Sequence, residues 1–398
     1  MATNKEQNKL NVPHLRFPEF HGEWEEHGLS EYLDFKNGLN PDSKRFGKGI
    51  KFISVMDILN NPVITYDCIR ASVQATDAEM SSFSVENGDI LFQRSSETLE
   101  DVGRANVYID DKVAVFGGFV IRGKKKANYN PLFFRYLLSS PYARKRIIPM
   151  GAGAQHFNIG QEGLSKVLLN FPSIEEQTKI ASLLHLLDER IATQSKLIED
   201  LKKLKSAIIE KLYSEIQGKE YSYRQLFEII NERNNRLEFS NVLSASQERG
   251  MVSREDLNLD IKFERSNINT YKIVRNGDYV IHLRSFQGGF AFSDIVGVCS
   301  PAYTIMRPKD LLEYGYLSYY FTSRQFIKSL VIVTYGIRDG RSINVDEWFD
   351  MKIVIPTKEQ QRHIVRTIKV FVNKIENEEM YASCLLKQKQ HLLRQMFI

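Results

Sequence analysis

Arginine followed by serine occurs twice in matching settings. Arg94-Ser95 and Arg284-Ser285 each close a short apolar run that begins at an Asn-Gly-Asp triplet, Asn87-Gly88-Asp89 and Asn276-Gly277-Asp278. Asn-Gly is a turn signal, so each pair is expected where a strand runs out into a loop. Arginine in such a loop can bond a guanine edge with two parallel hydrogen bonds, and serine can bond a base or a phosphate. Two glycine-rich loops are similarly equipped. Gln155, His156 and Asn158 follow Gly151-Ala152-Gly153, and Arg338 and Arg341 lie in the loop 335–342. Gln and Asn suit an adenine edge, and glycine lets the backbone approach a phosphate. Lys44, Arg45 and Lys48 form a basic cluster, and Arg104, Arg233, Ser246, Arg249 and Gln287 complete the candidate binding set.

Catalytic patterns are absent from the sequence. There is no phosphate-cradling Gly-rich Lys-Ser/Thr loop, and Gly151-Ala152-Gly153 lacks the third glycine and preceding strand of a dinucleotide site. Asn60-Asn61-Pro62-Val63 is not the Asn/Asp-Pro-Pro-aromatic run of an amino-methyltransferase. The 8 histidines show no metal-ligand spacing. Asp42-Ser43-Lys44 reads as a charged turn rather than a nuclease fragment.

Charge permits an anionic partner without requiring one, at +5 over 398 residues. Its distribution says more: Lys44, Arg45, Lys48 and Lys51, then Arg122, Lys124, Lys125 and Lys126, then Arg144, Lys145 and Arg146 are clustered in one half of the chain. The 3 cysteines are far apart, which argues against a metal site or disulfide framework and for a reducing compartment. The polar start and the lack of an apolar run of about 18 residues predict a cytoplasmic protein.

The elements that would position these loops are repeated. Ile180, Leu184, Leu187, Ile191, Leu201, Ile208 and Leu212 step by threes and fours, with Gln194, Ile198 and Lys205 on the same seam. That is a heptad pattern, which needs a partner helix along one face. Adding 184 to each number gives Ile364, Ile368, Phe371, Ile375, Leu385, Leu392 and Met396, with Glu378, Ala382 and Lys389 at the other positions. Each helix of roughly 40 residues would be about 60 Å long. Packing the two together is the simplest way to bury both seams.

The segments before them also correspond. Tyr221, Leu226, Glu228 and Ile230 echo Trp24, Leu29, Glu31 and Leu33, and Phe119, Val120 and Ile121 match Tyr303, Thr304 and Ile305. The Asn-Gly-Asp turns are 189 apart, so the first copy carries about five extra residues in the loop 95–103 relative to 284–289. Strands are expected at 49–58, 63–69, 89–93, 105–109, 113–121 and 164–171, and a helix at 131–148. The predicted organisation is a leader at 1–23, a globular module at 24–172, a long helix at 173–217, a second module at 218–356 and a second long helix at 357–398. This is an α+β protein with an internal duplication. Each module is a small mixed sheet with helices, and the two long helices pair as an antiparallel coiled coil with pseudo-twofold symmetry.

With these residues in place, the sequence resembles the DNA-specificity subunits of type I restriction-modification enzymes over essentially its whole length. The marks are Val12-Pro13-His14-Leu15-Arg16-Phe17-Pro18-Glu19-Phe20, Asn87-Gly88-Asp89-Ile90-Leu91, and the doubled Pro-x-x-Glu-x-Gln-x-x-Ile at 172–180 and 356–364. The second copy of the last motif carries Gln360 where the first has Glu176. The resemblance implies two target recognition domains, each reading half of a split site in double-stranded DNA, with the helix pair as a ruler between them. It implies two methylation subunits, which bring S-adenosylmethionine and methylate adenine N6, and restriction subunits using ATP and Mg. It implies no cofactor, metal or catalytic residue in this chain. The competing expectations are a two-armed helical scaffold for protein partners, which would bind DNA only non-specifically, and a degenerate methyltransferase or nuclease.

Overall fold

The computed structural model describes residues 11–246, 249–257, 265–282, 289–335 and 342–398. They fall into two compact units. One contains the chain up to Ser195 together with Met380–Ile398, and the other is Lys196–Glu379.

In the first unit an antiparallel sheet runs in the order Leu33–Asn37, Val120–Lys125, Ile90–Gln93, Ala105–Val107. The strand Ile90–Gln93 is buried on both faces. Ile90 and Phe92 pack with Phe133, Phe134 and Leu137 of the helix Pro131–Ser139, whereas Leu91 joins Ile53, Phe116 and Val120 in a second core. That division follows from the two-residue period of a strand. A second sheet runs Ser72–Val73, Phe46–Ile53, Ala114–Phe116, Ser84–Val85, with its middle pair parallel. The strands that begin and end the module, Glu25–Gly28 and Leu168–Phe171, pair with each other just before the first long helix.

The second unit repeats the sheet order with Phe227–Ile230, Thr304–Pro308, Tyr279–Ile281 and Phe290–Phe292. Lys219–Ser222 likewise pairs with Lys352–Ile355 before the second long helix. The repeat is out of step with the sequence match in two places. The short helix Tyr223–Leu226 takes the position of Leu29–Tyr32, so Leu226 corresponds to Tyr32, three residues from the expected partner. In the central sheets Ile90 faces Gly123 and Tyr279 faces Met306, a shift of one residue. The central strands are buried on both faces and are apolar at successive positions, so a neighbouring register matches almost as well in the sequence.

Several expected elements are also corrected. The strand at 49–58 stops at Ile53. Ser54 donates to Asp57 from both its backbone N and its Oγ at 2.7 Å, and so starts the helix Val55–Asn60. Residues 63–69 are not a strand but a bridge at Ile64 and a 3-10 turn at Tyr66–Cys68. Gly117 and Gly118 divide 113–121 into Ala114–Phe116 and Val120–Lys125. Pro141 divides 131–148 into Pro131–Ser139 and Pro141–Ile147, since proline removes a helical N–H and clashes with the preceding turn. The strand at 164–171 is the helix Gln161–Ser165 followed by Leu168–Phe171.

The long helices are Ile174–Ser214 and Lys358–Gln395. In the first unit the start of one meets the end of the other. Lys389 Nζ lies 2.5 Å from Asp188, Arg190 sits over the Tyr381 ring, and Ile180 and Leu184 share a core with Met396. In the second unit Lys202 Nζ is 2.7 Å from Glu379. The pairing is therefore antiparallel. The seam drifts near the end of the first helix: Ile209 and Tyr213 are buried, while Ile208 and Leu212 are only half-buried. A helix of 3.6 residues per turn moves off a strict seven-residue repeat in this way.

The doubled proline-to-glutamine motif fixes where each helix leaves its module. Gln177 Nε2 donates to Pro172 O at 3.0 Å, and Gln177 Oε1 accepts from Asn130 N at 3.1 Å. Gln361 Nε2 donates to Pro356 O and Leu311 O, both at 3.0 Å, and its Oε1 accepts from Glu313 N at 2.8 Å. The difference between Glu176 and Gln360 is also explained. Buried Glu176 accepts two bonds from Arg16 of the leader, at 2.8 and 2.7 Å, whereas Gln360 caps the helix start from Thr357 N at 3.1 Å. Replacing Gln177 by alanine leaves buried backbone groups unpaired and is expected to cost about 2 kcal/mol. Hydrogen exchange should accelerate at the Asn130 amide but not at Glu313, and Gln361→Ala should do the converse.

Candidate nucleic-acid interface

Five candidates converge at one edge of the first unit. Arg94 follows the strand Ile90–Gln93; its backbone N donates to Phe119 O at 2.9 Å and its Nη1 to Gly118 O at 3.3 Å. Ser95–Ser96 then pairs with Phe157–Asn158, and the Ser95 hydroxyl bonds Asn158 Oδ1. Ile159 N closes the junction onto Arg94 O at 2.9 Å. Gln155 and His156 are exposed in the loop between Ala152 and Asn158, which exchange backbone bonds of 2.9 and 2.8 Å. Gly153 has φ +144°, and a Cβ there would lie 2.0 Å from His156 O, so the loop requires glycine. Arg104 is a near neighbour: its carbonyl accepts from Gln93 N at 2.7 Å, and its side chain pairs with Asp101 at 2.6 Å.

Beside this edge opens a cavity of about 420 Å³, lined by Asn40, Phe46, Phe52, Met56, Ser95 and Phe119 among others. The sequence reading missed its apolar members. The available signal was an aromatic residue directly after Gly117-Gly118, at a turn where polar residues are the rule.

The basic clusters divide into free and engaged cations. Lys44 and Lys48 are exposed and have no hydrogen-bond or ion-pair partner among the described residues. Arg45 is engaged: it bonds both oxygens of Glu79, and its Nε donates to Gln74 O at 2.8 Å. Glu79 also accepts from Thr76 N at 2.8 Å. With Arg45 as the larger cause, its carboxyl falls to about 2. Thr76-x-x-Glu79 is a capping-box pattern that could have flagged this brace. Arg122 is buried and donates to Ser84 O. Arg144 donates to Glu100 O and Val102 O at 2.8 and 2.7 Å, and burial pulls its guanidinium down to about 10.

In the second unit Ser246 and Arg249 meet at the hairpin formed by Leu243–Ser246 and Gly250–Ser253, where Arg249 N donates to Ser246 Oγ at 3.4 Å. Arg233 is apart from them, bridged to Lys272 beside a polar cavity of about 320 Å³. Arg284, Ser285, Gln287, Arg338 and Arg341 lie outside the described residues. Among the described residues no group of three or more His, Cys, Asp or Glu is placed to hold a metal ion. No described helix is long and apolar enough to cross a membrane.

An α+β module joined to long, antiparallel-paired helices, with polar loops gathered at a sheet end, defines a class of proteins that is known from solved structures. The chain is similar to the S subunit of the type I restriction-modification system of M. genitalium, with a TM-score of 0.56 and 14% identity over 97% of this chain and 99% of that one. A chain from a type I restriction-modification system solved for its complex assembly gives 0.59, also at 14% identity, over 93% and 96%. In sequence the chain is 22% identical to the MjaX type I restriction enzyme specificity subunit of Methanocaldococcus jannaschii, over 98% of this chain and 95% of that protein. Residues 21–203 match the family described as the Type I restriction modification DNA specificity domain. Residues 21–203 thus carry a domain of this specificity family.

The Arg45–Glu79 brace sets a pH dependence. Glu79 titrates near 2 when folded, below its ordinary 4.5, so its stabilising contribution is complete above about 4.5 and is lost as pH falls through 2. Stability measured across this window should fall more steeply for the parent protein than for Glu79→Gln, which lacks the titrating group.

Proposed function

We propose that this chain is the sequence-reading subunit of a type I restriction-modification complex. It reads a split, asymmetric site in double-stranded DNA and directs adenine-N6 methylation and restriction by its partners. The observation that carries this is a repetition. The specificity-domain match ends at residue 203, yet the second unit repeats the same central sheet order. Two modules of one design, with differently equipped loops, suit a DNA site of two unlike halves. The long helices would set the unread spacer between the halves, because coupling two modules makes the second binding event intramolecular. Phosphate contacts would supply affinity and salt dependence, and base contacts the selectivity.

The chemistry is assigned to partners in the cytoplasm: two methylation subunits with S-adenosylmethionine, and restriction subunits with ATP and Mg. This chain takes no cofactor of its own in this reading. An apolar surface for the methylation subunits is at hand on the helices, where Leu186 is 63% exposed and Leu204 47% exposed.

A base-resolution map of N6-methyladenine in cells that co-express this chain with its methylation subunit tests the reading. Methylation should be confined to one split motif, and none, in cells where the complex assembles, would overturn it. Inserting four residues near Gln194 should lengthen the spacer and leave both half-sites unchanged; altered half-sites would rule out the ruler. Leu186→Glu and Leu204→Glu should leave this chain folded by circular dichroism but reduce co-purification of the methylation subunit at least ten-fold.

A further inference from the structure

Phe119, Met56 and Phe46 are 68%, 60% and 42% exposed, yet they gather around a single cavity with Phe52. Isolated exposed apolar residues are ordinary, but a rigidly held cluster of them is a binding feature. Phe119 sits in a tight turn closed by Val120 N to Gly117 O at 2.8 Å. Neighbouring chain braces the turn: Leu39 N donates to Phe116 O at 2.9 Å, Gly38 N to Val120 O at 3.2 Å, and Arg94 N to Phe119 O at 2.9 Å. A Cβ at Gly118 would fall 1.8 Å from Asn40 Oδ1, so the Asn40 side chain fills the space beneath the turn. Phe119 is thus presented to solvent by a backbone with little freedom to withdraw it.

The polar groups around the cavity are few. The Ser54 hydroxyl is engaged by Asp57 at 2.7 Å, and the Ser95 hydroxyl by Asn158. Lys44 and Lys48 flank Phe46 in the chain and are free among the described residues. Arg94 adjoins both Ser95 and the Phe119 turn. Against these cations the same segments hold exposed Asp42 and buried Asp57, the latter already occupied by Ser54. An apolar cleft with a cationic margin suits an apolar group carried on a polyanion.

We propose that this cleft reads one thymine of the half-site bound by the first module, taking its 5-methyl group between Phe46, Met56 and Phe119. The inference rests on the DNA-reading function proposed above. In the major groove thymine alone presents an apolar group; the other edges present donors and acceptors that this lining would strip of water without replacing their bonds. Lys44 and Lys48 supply the phosphate contacts that hold the base edge at the cleft.

The test uses the assembled complex and duplexes carrying the methylated motif. Each thymine is replaced in turn by deoxyuridine, which removes only the methyl group. One position, in one half-site, should weaken binding roughly 3- to 10-fold, the worth of burying a methyl group. Complexes carrying Phe119→Ala or Met56→Ala should bind the two duplexes within about 2-fold of each other, and Phe119→Leu, which keeps apolar bulk, should restore part of the discrimination. A motif without thymine, no uracil sensitivity, or sensitivity that survives both alanine variants would overturn the proposal. If no split motif is methylated at all, the DNA-reading function fails first, and the subsite with it. Specific binding without thymine dependence removes only the subsite.

Discussion

In each unit one buried primary amide ties the start of a long helix to its module. Gln177 and Gln361 are 3% and 1% exposed, and each joins a strand end, a helix start and a distant loop of its module. The carbonyl of Pro172 or Pro356 needs a donor, and the amide of Asn130 or Glu313 needs an acceptor. Among side chains of this length only glutamine offers both; glutamate cannot donate when ionised, and lysine cannot accept. A buried amide left half-satisfied is costly, so the clamp selects one geometry of helix against module. Any recognition loop on the module is then held in a fixed relation to the first turn of the helix.

The helix pair is bound to the first module by a second polar junction. Lys389 lies on the apolar seam, where a charge is costly unless paired. Asp188 meets it at 2.5 Å and also takes the Tyr136 hydroxyl at 2.9 Å and Arg135 at 3.2 Å. Both partners from the module sit on the helix Pro131–Ser139, whose other face fills the core behind the central sheet. A polar seam residue of this kind does more than set coiled-coil register. It couples the register to the packing of the module, because Asp188 holds Lys389 of the other helix and Arg135 of the module at once, and a slip of the helices would take Lys389 away.

How much could be read in advance depended on the length of the signal. The helices repeat a periodic pattern over tens of residues, and one constant offset carries seam, polar breaks and glutamine motif together. Module strands are two to eight residues, and there a single residue decides the outcome: Ser54 converts an expected strand into a helix, and Pro141 splits an expected helix. Register was weaker still, because the central strands are buried on both faces and so are apolar at successive positions, which leaves nothing in the pattern to tell one register from the next. The convergence of Arg94 and Ser95 with Asn158 depends on pairing between residues 63 apart in the chain, which no local pattern encodes.

Charge was the most misleading signal, for a physical reason. A guanidinium has five N–H donors and a long apolar stem, so it serves equally well as a phosphate contact or an internal brace. Arg45, Arg122 and Arg144 all act as braces, bonding Glu79 or backbone carbonyls. The free cations left near the Arg94 edge are chiefly Lys44 and Lys48. A module with so few free cations at that edge would gain modest affinity there from phosphates alone. On the proposed reading, selectivity would rest on the glycine-dependent loop bearing Gln155 and His156 and on the braced turn bearing Phe119. Both are short, rigid and built from residues whose chemistry is not charge.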